Sequence, residues 1–260
     1  MSAGDSAAPL GDVTFRDLFS SRSSLYAACR PRYPTALFSY LATVAPRRGT
    51  AWDCATGTGQ AATGLVGHFE RVIATDASAR QIAGAEKQPS LSYAMAAAEQ
   101  SPLRSGCADI VTVAQALHWF DVPVFFREAR RALASDGVIA IWGYGDPIMN
   151  TPELHEILYG FNRGTLERYW MPERMILLDG YRDVSFPFEE IKPPEFELEV
   201  QWTLGQLAGY LRTWSAAVRY EEANGVDPVA EVEATLAESW GERDTPRAVR
   251  WPLYLRVGTK

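Results

Sequence analysis

Hydrophobic positions along the 260-residue chain change rhythm several times, and the changes mark out its elements. Residues 48–54, 71–76, 91–95, 109–114 and 138–142 are short apolar runs, rich in β-branched side chains at 109–114, as expected of strands covered on both faces. Between them the apolar residues recur at helical spacing. Ala61, Leu65, Val66 and Phe69 follow the first run, Ser78 is a plausible N-cap after the second, and a helix over about 122–134 is stopped by Ser135-Asp136-Gly137. Five strands alternating with helices predict a parallel sheet with right-handed crossovers. Ahead of them, residues 1–12 are small and polar and read as a disordered tail, with the folded domain at 13–260. One or two short helices are expected over 15–30. Pro31 and Pro34 hold the next segment extended, and Pro34 opens a helix through Leu37, Leu41 and Val44.

Beyond residue 145 the rhythm changes. Thr151-Pro152 opens a helix with Leu154, Ile157, Leu158 and Phe161 on one face, and Tyr169, Trp170 and Met171 cluster before another short helix. Residues 146–190 are expected to cap the carboxyl edge of the sheet. Residues 196–202 alternate apolar and charged, the period of a strand with one wet face. Thr203 and Gln206 form a capping box, Asp227-Pro228 starts a further helix, and residues 249–257 close the chain as a strand whose Pro252 suggests an edge position or a bulge. The expected fold is α/β: a Rossmann-like, doubly wound, mostly parallel seven-stranded sheet with an antiparallel edge strand and a helical cap.

The stretch Asp53-Cys-Ala-Thr-Gly57-Thr-Gly59 lies at the join of the first strand and its helix, where closely spaced glycines let backbone approach a nucleotide. Gly57-Thr-Gly-Gln-Ala-Ala62 matches a dinucleotide fingerprint, and Asp76 lies at a distance suited to a ribose, so an NAD-dependent oxidoreductase is one reading. Asp53 argues against it. Dinucleotide strands run apolar into their first glycine, whereas a carboxylate there suits a ligand with an ammonium group and no pyrophosphate, as in S-adenosylmethionine. Composition narrows the partners. A net charge of −7 offers no general field for nucleic acid, three scattered cysteines form no metal or disulfide pattern, and no apolar run is long enough to span a membrane. A cytoplasmic protein, monomer or weak dimer, without a metal, is expected.

These residues resemble the first motif of class I S-adenosylmethionine-dependent methyltransferases. Asp76 is similar to the acid closing their second strand, Ala98-Glu99 to the loop after the third, and Gln115-Ala-Leu-His-Trp119 to the segment after the fourth. Tyr26 with Arg30-Pro-x-Tyr33-Pro34, Gly209-Tyr-Leu-Arg-Thr-Trp-Ser215 and Arg250-Trp-Pro-Leu-Tyr-Leu-Arg256 resemble the trans-aconitate methyltransferase-like group, whose members carry a type 11-like methyltransferase domain and act on small molecules. The resemblance implies S-adenosylmethionine as cofactor. It implies that Gly57 and Gly59 line the methionine moiety, that Asp53 holds its ammonium directly or through water, and that Asp76, with Ala77 beside it, accepts the ribose hydroxyls. Ala98 meets the adenine edge, Glu99 lies near it, Gln115 borders the ligand, and Tyr26 and Arg30 fold over the methionine carboxylate. Ala55 stands where the family more often has glycine, and a left-handed backbone there is strained.

Methyl transfer to a small acceptor, at oxygen, is the expected reaction. Positioning and desolvation supply much of its acceleration, and a base is needed only for a neutral nucleophile. By its place after the fourth strand His118 is the candidate base, with a packing histidine as the alternative. Trp119, Trp142, Tyr144, Trp170 and Tyr181 are candidates for an aromatic acceptor pocket, and Arg182, Arg212 and Arg219 for a carboxylate clamp. A fold that binds the nucleoside without methyl transfer, as a cyclase or a regulatory binder, is the rival reading.

Overall fold

The computed structural model describes residues 30–260. The expected tail, the expected helices before Arg30 and Tyr26 lie outside the described residues. Helix α1 (Thr35–Val44) follows the proline segment, and Pro34 stands at its N-cap as its fixed φ allows. Strand β1 (Thr50–Cys54), α2 (Gln60–Leu65), β2 (Arg71–Asp76), α3 (Ala79–Ala83), β3 (Leu91–Met95) and β4 (Ala108–Ala114) come next. Ser78 caps α3 by accepting the Gln81 N–H. After a single 3-10 turn at Leu117–Trp119 come α4 (Val122–Ala132) and β5 (Leu133–Tyr144). The strand β5 starts five residues earlier than the sequence suggests, because Leu133 already pairs with Ala108 across a register shift.

The sheet runs β3-β2-β1-β4-β5, all parallel, and then turns antiparallel at the long C-terminal strand β9 (Arg247–Thr259). Ahead of β9 come β6 (Ile148–Met149), α5 (Pro152–Gly160), α6 (Arg174–Leu178), β7 (Glu189–Ile191), β8 (Phe196–Trp202), α7 (Leu204–Arg212), α8 (Ser215–Asn224) and α9 (Pro228–Trp240). The predicted α/β architecture with its antiparallel margin is present, with nine strands among the described residues where seven were expected, since β6 and β7 are too short to read from a pattern. Pro252 sits inside β9, paired with Glu197 of β8, and not at an edge. Its carbonyl accepts the Gly145 N–H where the chain leaves β5, so its missing donor faces the gap between β5 and β6.

Alternating strand residues feed two cores. Ala51, Ile110, Val138, Ala140 and Trp142 face α1, α2 and the C-terminal helices, whereas Trp52, Val111, Val113, Ile139 and Ile141 face Phe125, Phe126, Leu177 and Tyr181. Burying both faces is what makes these strands read as unbroken apolar runs. The helical layer at the sheet's carboxyl end is larger than residues 146–190. It includes α7, α8 and α9, whose Leu211, Trp214 and Leu236 share one core with Leu154, Leu158 and Phe161, while residues 189–191 return to the sheet as β7.

Candidate active site

Two adjoining regions form at the carboxyl ends of β1, β2, β4 and β5, where strand order reverses between β1 and β4 and a crevice opens. The first is made of backbone. Ala55, Gly57 and Gly59 all take positive φ, at 54°, 57° and 87°. The strain anticipated at Ala55 is therefore real, and a non-glycine residue in this region costs about 1–2 kcal/mol. A Cβ built on Gly57 meets nothing within 4 Å, so this glycine looks onto open space, whereas one on Gly59 would lie 2.3 Å from the Tyr93 hydroxyl. The two glycines are thus required for different reasons: a close approach at Gly57, protein packing at Gly59.

Two carboxylates shape this turn. Asp76 ends β2, is 8% exposed, and accepts the Gly57 N–H at 2.8 Å on one oxygen and the Ser78 N–H at 2.8 Å on the other. Asp53 is fully buried under the turn, with Oδ2 accepting the Thr56 hydroxyl at 2.6 Å and Oδ1 the Thr112 hydroxyl at 2.8 Å. Burial pushes its pKa up to about 6, against the opposing pull of these hydrogen bonds. Both oxygens of Asp53 are therefore engaged inside the protein. Further along the crevice, Ala98 is buried, Ala77 is exposed at the rim, and the Glu99 carboxylate accepts the Asp121 N–H at 2.9 Å, tying the loop after β3 to the start of α4.

The second region is made of side chains from distant parts of the chain. A cavity of about 100 Å³ is lined by Arg30, Gln115, His118, Trp119, Tyr144 and Asp146, and on its far side by Trp170, Arg174, Tyr210 and Trp214. Gln115 takes φ 58°, which turns its side chain back over β5 so that Nε2 donates weakly to the Tyr144 carbonyl at 3.4 Å. Among the described residues its buried Oε1 has no hydrogen-bond partner. An unmatched buried acceptor is costly, and a ligand donor would satisfy it. Arg30 donates to the Tyr144 hydroxyl at 2.9 Å and lies over the Tyr210 ring, 5.4 Å from its centroid.

His118 lies in the 3-10 turn, with Nδ1 3.4 Å from the Tyr181 hydroxyl. Burial, and then the nearby Arg174 cation, lower its pKa to about 4. The imidazole is neutral at pH 7, as a base must be, but its conjugate acid is too acidic for it to pull strongly on a neutral hydroxyl. Of the aromatic candidates, Trp119, Tyr144 and Trp170 line the cavity. Trp142 is fully buried against Tyr33 and Phe38, and Tyr181 stands behind His118. The proposed arginine clamp is elsewhere: Arg212 pairs with Asp227 and Glu233, Arg219 donates to the Tyr169 carbonyl, and Arg182 to the Asp179 carbonyl. Arg174, missed by sequence reasoning, takes that position. Nothing local marks it, because it becomes part of the site only when α6 folds against the 3-10 turn after β4. Tyr210 and Trp214 did carry a signal, the Gly209–Ser215 run, without a role attached to it.

A sheet in this order, with a glycine turn after β1, an acid closing β2 and a crevice at the switch point, defines a nucleoside-binding α/β enzyme fold. Residues 52–141 match the methyltransferase-domain family. A Dictyostelium discoideum protein assigned as a methyltransferase is 34% identical over 254 residues, covering 95% of this chain and 96% of that protein. A Saccharomyces cerevisiae protein assigned as an S-adenosylmethionine-dependent methyltransferase is 24% identical over 241 residues, covering 79% and 83% of the two chains. A solved structure from Anaeromyxobacter dehalogenans, assigned as a type II methyltransferase, is 42% identical and superposes with a TM-score of 0.83 over 88% of this chain and 97% of that one. The chain belongs to the class I S-adenosylmethionine-dependent methyltransferases. Members of this family bind S-adenosylmethionine, and the residues present fit that group: open space above Gly57, an anchored acid at Asp76 and an unmatched acceptor on Gln115.

Proposed function

We propose that the protein methylates an oxygen of a small acid whose body is apolar or aromatic, using S-adenosylmethionine held in the crevice. The observation that carries this reading is the cavity itself: a small volume beside Gln115, walled by Trp119, Tyr144, Trp170, Tyr210 and Trp214 and containing the Arg30 and Arg174 cations. Guanidinium groups against aromatic walls suit a carboxylate on an apolar frame. In this reading the Gly57 turn borders the methionine moiety, Asp76 accepts the ribose hydroxyls, and the Gln115 amide oxygen receives the ammonium. Ala98, Ala77 and Glu99 border the adenine side, and Arg30 faces the methionine carboxylate, which leaves Arg174 for the carboxylate of the acceptor. Asp53 acts from beneath, holding Thr56 and Thr112 so that the left-handed turn is kept in shape. The helices α5 to α9 close the acceptor side against water.

When bound, S-adenosylmethionine supplies a methyl group on a sulfonium, which an oxygen nucleophile accepts as the carbon–sulfur bond breaks. A carboxylate needs no proton removed, so the weak basicity of His118 is no obstacle, and the chain's contribution is to orient the acid and keep water out. His118 then serves as a neutral hydrogen-bonding wall, aligned by Tyr181. The test is S-adenosylhomocysteine release with a panel of small acids, alcohols and amines. The expected product is a methyl ester, recognised because alkali returns the acid. Turnover confined to amines, or tight cofactor binding with no turnover on any acceptor, would sink the proposal.

A further inference from the structure

The geometry points to Asp146 as an internal stand-in for the acceptor's carboxylate: it occupies Arg174 in the free pocket, and an incoming anion takes its place while Asp146 stays on Arg163. This inference rests on the acidic-acceptor reading above and names the residue that sets acceptor affinity. Asp146 follows β5 and lines the cavity, and two guanidiniums share its one carboxylate. Oδ1 accepts from Arg174 and Oδ2 from Arg163, the latter at 3.1 Å. Two cations on one anion leave a full positive charge uncompensated in this cluster.

Arg174 is the buried member, its side chain 14% exposed against 30% for Arg163 and 26% for Asp146. Its guanidinium carbon lies over Trp170, 3.6 Å from the ring centroid, and Trp170 is itself held by an indole N–H donated to Asn162 Oδ1 at 2.9 Å. The ring gives the guanidinium a supported place in the wall of the cavity. Among the described residues Asp146 is the single hydrogen-bond acceptor of Arg174, whose fork carries five donors and lines the cavity. Burial lowers the Arg174 pKa more than Asp146 raises it, with Arg163 adding to the fall, which marks a cation short of negative partners. A second carboxylate meeting the fork edge-on would supply what is missing. Because Arg163 retains Asp146, the exchange leaves no buried carboxylate unpaired.

Opposite changes on the two sides of Asp146 test the exchange. The probe is benzoate, titrated by calorimetry into the S-adenosylhomocysteine complex of the full chain. Removing the competing charge with Asp146→Asn is expected to tighten benzoate binding roughly tenfold, a change of about 1.4 kcal/mol. Arg163→Gln, which leaves Asp146 with Arg174 alone, is expected to weaken it several-fold, and Arg174→Met to abolish it. General damage to the pocket would weaken binding in all three variants, so the opposite signs belong to the exchange. Unchanged or weaker benzoate binding in Asp146→Asn, or absence of binding in both the parent protein and that variant, overturns the inference. If Asp146→Asn does not fold, tighter or unchanged binding in Arg163→Gln overturns it alone. Tightening without any methyl ester formed from acids leaves the exchange standing and removes the proposed reaction, so the two failures are distinct.

Discussion

The cofactor side and the acceptor side of the crevice are built by different means, although Gln115 belongs to both. On the cofactor side the working groups are backbone: positive-φ residues at 55, 57 and 59, held by Asp53 from below and by Asp76 across the turn. This turn and its two acids come from two adjacent strands, β1 and β2, and the loop between β1 and its helix, within 24 residues of sequence, counting from Asp53 through Asp76. On the proposed acceptor side the groups are side chains from Gln115 to Trp214, brought together by α6, α7 and the ends of β4 and β5. A backbone site presents a fixed main-chain contour that fits one shared ligand. A side-chain site is adjusted residue by residue, which is how one fold keeps a donor and varies its acceptor.

The largest expected effect breaks the cofactor side alone. Asp76→Ala removes the acceptor of the Gly57 and Ser78 N–H groups together with the proposed ribose contact. At about 1.5–3 kcal/mol for each hydrogen bond to a charged group, S-adenosylhomocysteine affinity should fall roughly 100-fold or more. Calorimetry checks this, and an unchanged dissociation constant would remove Asp76 from the site. Benzoate binding to the same variant separates the two regions, since an acceptor side that stands independently loses far less.

A pH series sharpens the contrast through opposite signs. The Asp53 pKa is raised in the fold to about 6, so the stability it contributes is present below its unfolded value near 4 and is lost as pH rises through about 6. The His118 pKa is lowered in the fold to about 4, so its neutral form favours folding above about pH 6.5, and that contribution is lost as pH falls toward 4. Each swing is on the order of 2–3 kcal/mol and the two oppose one another between about pH 4 and 6.5. Asp53→Asn should therefore steepen the loss of melting temperature toward acid, and His118→Gln should make stability fall as pH rises across that window. Parallel profiles for both variants would contradict the assigned environments.

The smallest effect concerns chemistry. With an acidic acceptor, His118→Gln should lower turnover less than about tenfold, below the range usual for loss of a general base, and should leave the pH dependence between 6 and 8 unchanged. A loss of about a hundredfold or more, with a missing titration near neutrality, would restore His118 as the base.

The strands, their parallel order and the glycine turn were legible in the sequence because each depends on neighbours a few residues away. An apolar run buried on both faces, a left-handed glycine and an acid at the end of β2 all leave local marks. The same locality marks Ala55 as the strained member of its turn. Gln115 was legible as a position, while its left-handed backbone and unmatched amide oxygen depend on packing against β5. The protonation of His118 and Asp53 depends on burial and on partners distant in sequence, which no spacing encodes. Arg174 was invisible, and the three arginines expected in its place proved to be tied to partners elsewhere. The sequence by itself determined the class of protein and the left-handed turn after β1, because the motif that carries both is written in consecutive residues. Only the tertiary structure decided which cation lines the cavity beside Gln115 and which carboxylate holds it there, because Asp146, Arg163 and Arg174 become neighbours only when the segments after β5 fold back on its end.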